Sequence, residues 1–128
     1  MKTKYAVALG TVAGFALGAA AIKGPHAQVK PLGYVVAEIT VTNDEAYAKE
    51  YGPPIVKTVQ DFGGKFLARG GKTSSLVGDP PKPRVVVVQF ESLDKAQAWF
   101  NSPATQALTP IGEKYATFRT FVVEGVSP

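Results

Sequence analysis

A chain of 128 residues without cysteine is long enough for one ordinary domain, and it excludes a disulfide scaffold, thiol catalysis and thiolate metal sites. Its formal charge of +4 is misleading, because Lys2, Lys4 and Lys23 precede residue 28 and the remainder holds 11 basic against 10 acidic groups. A near-neutral domain has no electrostatic footprint for nucleic acid or an anionic lipid surface.

Residues 1–27 differ in kind from the rest of the chain. Lys2 and Lys4 precede an uncharged stretch over 5–22, and small residues at 18–21 lead to Lys23. A positive segment, an apolar segment and small residues describe a secretory signal peptide, with cleavage expected after Ala21 or Ala27. The alternative is an uncleaved anchor: a helix over 5–22 would rise about 27 Å, just enough for the hydrocarbon layer. Gly10, Gly14 and Gly18 would then share one face that a second membrane helix can approach closely. Either reading keeps the two leading lysines cytoplasmic and places the domain on the far, periplasmic side of a bacterial inner membrane. His26, the only histidine, belongs to this stretch or to the linker over 25–32.

The domain, 28–128, then reads in chain order. Residues 33–41 form a β-branched run with one charge, a strand buried on one face. Thr42-Asn43-Asp44 offers a helix cap, with Asp44 and Glu45 favouring the positive end of the helix dipole. The next helix carries Tyr47, Ala48, Tyr51, Ile55, Val56, Val59 and Phe62. Pro53 and Pro54 should divide it into two pieces, and Gly63-Gly64 should stop it. A second strand covers 65–69. The polar stretch 70–82 is rich in glycine and proline, with Ser75, Leu76 and Val77 as a short extra strand. Residues 84–90 form the clearest strand of the chain. Ser92 caps a helix bearing Ala96, Trp99 and Phe100, which Ser102-Pro103 ends. Residues 105–115 are predicted helical with an interruption at Pro110 and Gly112, and 118–124 form the last strand. Gly70-Gly71-Lys72-Thr73 has the look of a phosphate loop, but its spacing is incomplete and no helix comes after it, so it reads as a hairpin turn.

The order βαββαβ specifies an α+β fold: an antiparallel sheet with helices on one face, the ferredoxin-like arrangement. Glycine pairs bracket the strand 65–69, with Arg69 at its end. Together with the strands at 33–42 and 83–90 and the closing Phe121-Val122-Val123-Glu124-Gly125-Val126, this pattern resembles the domain-of-unknown-function 1330 family, over residues 32–126. The resemblance implies a dimeric α/β barrel in which two such sheets close face to face, and it implies no particular reaction. The sequence agrees independently, since a sheet covered on one side must shield its other face if that face is apolar.

Alternation along each strand sorts the side chains. Val35, Ala37, Ile39 and Val41 are the apolar set for the helices. Glu38, Arg69, Gln89 and Arg119 fall in the more polar alternates, and on a shared face they would gather inside a greasy barrel. Such a cluster would suit a small anionic or enolic ligand, with Glu38 as base and Arg69 or Arg119 holding the developing oxyanion. The bland alternative is that Glu38 and an arginine form an ion pair fixing dimer register. Tyr47, Tyr51, Trp99, Phe100 and Tyr115 could line a ligand pocket, with Tyr51 and Trp99 the ligand-binding candidates, although aromatics at helical spacing are more often core. Without a domain histidine or paired carboxylates, haem, zinc and a Ser-His triad are not expected, and neither a metal nor a cofactor is called for. Two functions remain open: an exported, homodimeric small-molecule binder or cofactor-free enzyme, and a non-enzymatic accessory subunit whose segment 5–22 packs within a larger membrane complex.

Overall fold

The computed structural model describes residues 29–128, and the compact unit within them is Pro31–Ser127. The signal peptide or anchor expected over 1–27 lies outside the described residues. Among those described, no helix is long and apolar enough to cross a membrane.

Four strands, β1 (Gly33–Val41), β2 (Lys65–Arg69), β3 (Arg84–Phe90) and β4 (Ala116–Glu124), form one sheet in the order β2-β3-β1-β4, antiparallel throughout. This is the ferredoxin-like α+β fold that the element order predicts. β1 is the axis of the sheet: Val35 faces Val88 on one side and Val122 on the other. Its β-branched run, Val35, Val36, Ile39, Thr40 and Val41, suits a strand paired along both edges.

The first helical segment is α1 (Asp44–Ala46), capped by Asn43 Oδ1, which accepts from the Ala46 amide at 3.0 Å. It runs on through a wide π turn, Tyr47–Tyr51, into α2 (Gly52–Asp61). The expected division at the two prolines is therefore a change of winding rather than a break. Pro53 and Pro54 have no amide hydrogen to donate backward, and they sit where a first turn needs none. Immediately before them the Gly52 amide reaches back five residues to the Tyr47 carbonyl.

Ser92 caps α3 (Leu93–Asn101), accepting from the Lys95 amide at 3.1 Å. A single residue, Ser102, closes α3 and opens α4 (Pro103–Tyr115): its hydroxyl donates to the Trp99 carbonyl at 2.8 Å and accepts from the Thr105 amide at 3.3 Å. α4 thus starts at Pro103, two residues before the sequence expectation, and continues through Pro110 and Gly112 without interruption. Residues 75–77 are not a strand. They belong to an exposed loop, with Leu76 and Val77 94% and 91% exposed.

The core is packed between helices and sheet by Val35, Val59, Val88, Phe90, Ala96 and Trp99. Trp99 stacks on Phe90, with centroids 5.5 Å apart, and its Nε1–H donates to Thr58 Oγ1 at 2.9 Å. The Thr58 hydroxyl in turn donates to the Ile55 carbonyl at 2.8 Å. The start of β1 passes hard under the cap of α3. A Cβ at Gly33 would lie 2.5 Å from the Ser92 carbonyl oxygen, so only glycine permits this approach.

Thr58→Val should lower the unfolding free energy by about 1–3 kcal/mol, because it strands the buried indole N–H while keeping the side chain's shape. Urea denaturation followed by Trp99 fluorescence checks this, and an unchanged midpoint would deny the bond its role.

Candidate functional site

β-strand register divides the six residues singled out from sequence into two groups on opposite faces. On the open face, away from the helices, Glu38 pairs in register with Arg119 and Val85. Arg119 Nη1 donates to Glu38 Oε2 at 2.7 Å, and the Lys82 amide donates to Glu38 Oε1 at 3.2 Å. Both carboxylate oxygens are therefore engaged within the chain. Gln89 shares this face but pairs with Tyr34, four residues from Glu38 along β1, or roughly 13 Å at the strand rise.

Arg69 does not join them, contrary to the expectation of a single four-residue cluster. β2 meets β3 as Phe66 opposite Val88 and Ala68 opposite Val87, with Leu67 extra between them. This β-bulge reverses the alternation, so Arg69 lies opposite Val86 on the helix face. One inserted residue moves the guanidinium to the other side of the sheet.

The helix face holds a cleft of about 1230 Å³ between the sheet and the helices. Tyr51, Trp99 and Arg69 all line it, so three of the six candidates meet there rather than beside Glu38. Its walls are largely apolar, from Val35, Ala37, Ile39, Val59, Val86 and Phe118. Its polar end adds Arg84, which was not among the sequence candidates, to Arg69, Tyr47 and Tyr51. Arg84 is the first residue of β3, in phase with Val86, Val88 and Phe90, and alternation alone would have put it under the helices.

Arg84 has an unusual setting. Its Nε is buried without a hydrogen-bond partner, and its guanidinium lies 5.7 Å from the centre of the Tyr47 ring. On another side it presses against Gly70, where φ is +71° and a Cβ would collide with Arg84 Nη1. Glycine at 70 thus serves both the turn and the space the arginine occupies. Arg69 is solvent-exposed, with its guanidinium 4.7 Å from the Phe66 ring centre. Among the described residues neither arginine stands in an ion pair.

Tyr47 and Tyr51, four residues apart, come together on one helical face, their centroids 5.3 Å apart, with Phe118 5.7 Å beyond Tyr51. Burial raises the Tyr47 phenol above its ordinary 10.0, against the lowering influence of Arg84. Tyr51 is raised further, by burial first and then by the nearness of Tyr47. Both therefore present neutral hydroxyls at neutral pH. Asp44 and Glu113 also line the cleft, both exposed to water. Outside it, Tyr115 Oη donates to Glu50 Oε1 at 3.0 Å, and that bond raises the Tyr115 phenol. No three His, Cys, Asp or Glu side chains cluster as a metal site among the described residues.

A four-stranded antiparallel sheet in this order, with helices on one face and a cleft beneath them, defines a ferredoxin-like α+β domain. The chain belongs to the DUF1330 family, a domain of unknown function, whose family model matches residues 32–126. Among solved structures it is similar to RPA0582 from Rhodopseudomonas palustris, a protein of unknown function, at 16% identity and a TM-score of 0.61, over 83% of this chain and 95% of that one. It is less similar to SnoaB, a cofactor-independent oxygenase from Streptomyces nogalater, at 13% identity and a TM-score of 0.49, over 77% of this chain and 96% of that one. The RPA0582 likeness shows the fold. No curated protein matches the chain.

The buried phenols make stability depend on pH in a definite direction. A tyrosine whose folded pKa exceeds its unfolded value stabilises the fold fully below the unfolded value of 10.0, and that stabilisation is lost as pH rises above it. The unfolding temperature should therefore fall on going from pH 9 to pH 11, by less in Tyr51→Phe than in the wild type. Parallel slopes for the two proteins would remove Tyr51 as the cause.

Proposed function

We propose that this protein binds a small organic molecule in the cleft between sheet and helices, and that it works as a homodimer closed through its open sheet face. The observation that carries the reading is the cleft itself: an apolar chamber with Arg84, Arg69 and two neutral tyrosines gathered at one end. Ligand sites of this kind pair apolar walls with a few convergent polar groups. Binding rather than a named reaction is the function proposed. A general-base role for Glu38 has no support from this cleft, because Glu38 is on the opposite face and already holds Arg119 and the Lys82 amide.

The dimer is supported by the character of the open face. Val36, Val85 and Val87 form its centre, and Phe121 and Val123 remain 44% and 48% exposed there. An apolar face with one ion pair across β1 and β4 has the composition of a surface that a second copy would cover. The Glu38–Arg119 pair then acts as a register mark within the interface. We also propose an exported, periplasmic address, supported by the charge and hydropathy pattern of residues 1–27.

Light scattering should give twice the chain mass, and Val87→Glu should give a folded monomer, since it buries a charge in the interface but none in the core. A monomeric wild type would remove the dimer. For the cleft, ligands found by thermal shift in a metabolite panel should quench Trp99, the single tryptophan, and should lose affinity at least about tenfold in Thr109→Trp. Hits that leave Trp99 unquenched and bind Thr109→Trp normally would place binding elsewhere. Sequencing the mature protein from a periplasmic extract should find a first residue at 22 or 28. Recovery of Met1 from membranes would favour the anchored accessory subunit.

A further inference from the structure

The Arg84 guanidinium at one end of the cleft has no carboxylate partner among the described residues, and that bears on what the cleft accepts. Arginine has five N–H donors and stays charged at any ordinary pH. Burying one of them without an acceptor costs free energy, which an incoming acceptor recovers. Arg84 Nε is such a donor, and no carboxylate among the described residues pairs with this side chain. The Tyr47 ring and the bare backbone of Gly70 flank the guanidinium, which limits how far it can swing out toward water.

The apolar part of the cleft begins on the same strand. Val86 is two residues from Arg84, and Ala37 and Phe118 continue the half-buried apolar wall beside it. Asp44 and Glu113 share the cleft, but water reaches both and weakens their repulsion of an anion, whereas Arg84 is shielded.

We infer that the cleft takes an amphipathic organic acid, its carboxylate on Arg84 beside Tyr47 and its apolar body lying over Val86, Ala37 and Phe118. The inference rests on the cleft being the ligand site. It adds the ligand's charge and its orientation.

Matched ligands that differ only in the head group test it. Decanoate and 1-decanol are titrated separately into the purified protein, with Trp99 fluorescence as the readout of cleft occupancy. The wild type should bind the acid at least about tenfold more tightly than the alcohol, since a charged hydrogen bond distinguishes them. Arg84→Met should bring the two affinities to within about twofold. Equal affinities in the wild type, or an acid preference that survives Arg84→Met, would overturn the head-group assignment and leave the cleft standing. If neither compound alters Trp99 fluorescence, the cleft reading falls, and this one with it. Should Arg84→Met not fold, the wild-type ratio of the two affinities still decides.

Discussion

The indole of Trp99 ties the helical layer to the sheet. Its ring stacks on Phe90 of β3 while its N–H reaches Thr58 of α2, so one side chain connects strand, α2 and α3. Around this joint the interior is dense, with Val35, Val59, Val88 and Ala96 all nearly inaccessible. Toward the first residues of β3 the character changes. Large apolar groups give way to Arg84, Tyr47 and Tyr51, and the space between the layers opens as the cleft. A helical layer clamped at one place on a twisted sheet need not follow it everywhere, and the cleft occupies the part that the clamp does not close.

Most of the fold is legible in the sequence because its signals are local. Period-two alternation finds all four strands, and Asn43 and Ser92 cap helices as their side-chain chemistry predicts. The misreadings also have local causes. Pro110 reads as an interruption, yet α4 runs through it from Pro103 to Tyr115, its packing outweighing one lost backbone bond. Ser75, Leu76 and Val77 have strand-like composition but no neighbouring strand to pair with, so they stay in a loop.

The site is harder to read because it depends on phase. Alternation assigns Glu38, Gln89 and Arg119 correctly to the open face, and would have assigned Arg84 correctly to the other. It fails for Arg69, since the extra residue Leu67 shifts the phase of β2 midway and no residue type announces it. Tyr47 and Tyr51 stand out in the sequence as a pair four residues apart, one turn along a helix. Their meeting with Arg84 depends on how that helix lies over β3, which no local signal announces.

The same bulge bears on how the sheet ends. β2 and β4 are its two rims, and they are unlike. β2 is five residues long, kinked at Leu67 and flanked by Lys65 and Arg69, which makes it a poor template for another chain. β4 runs nine residues with its register to β1 unbroken. If two molecules meet rim to rim along β4, the joined sheet terminates on both sides in a kinked, cationic β2. Such growth would stop at a pair, because the bulge at Leu67 and the two cationic ends of β2 oppose a further strand.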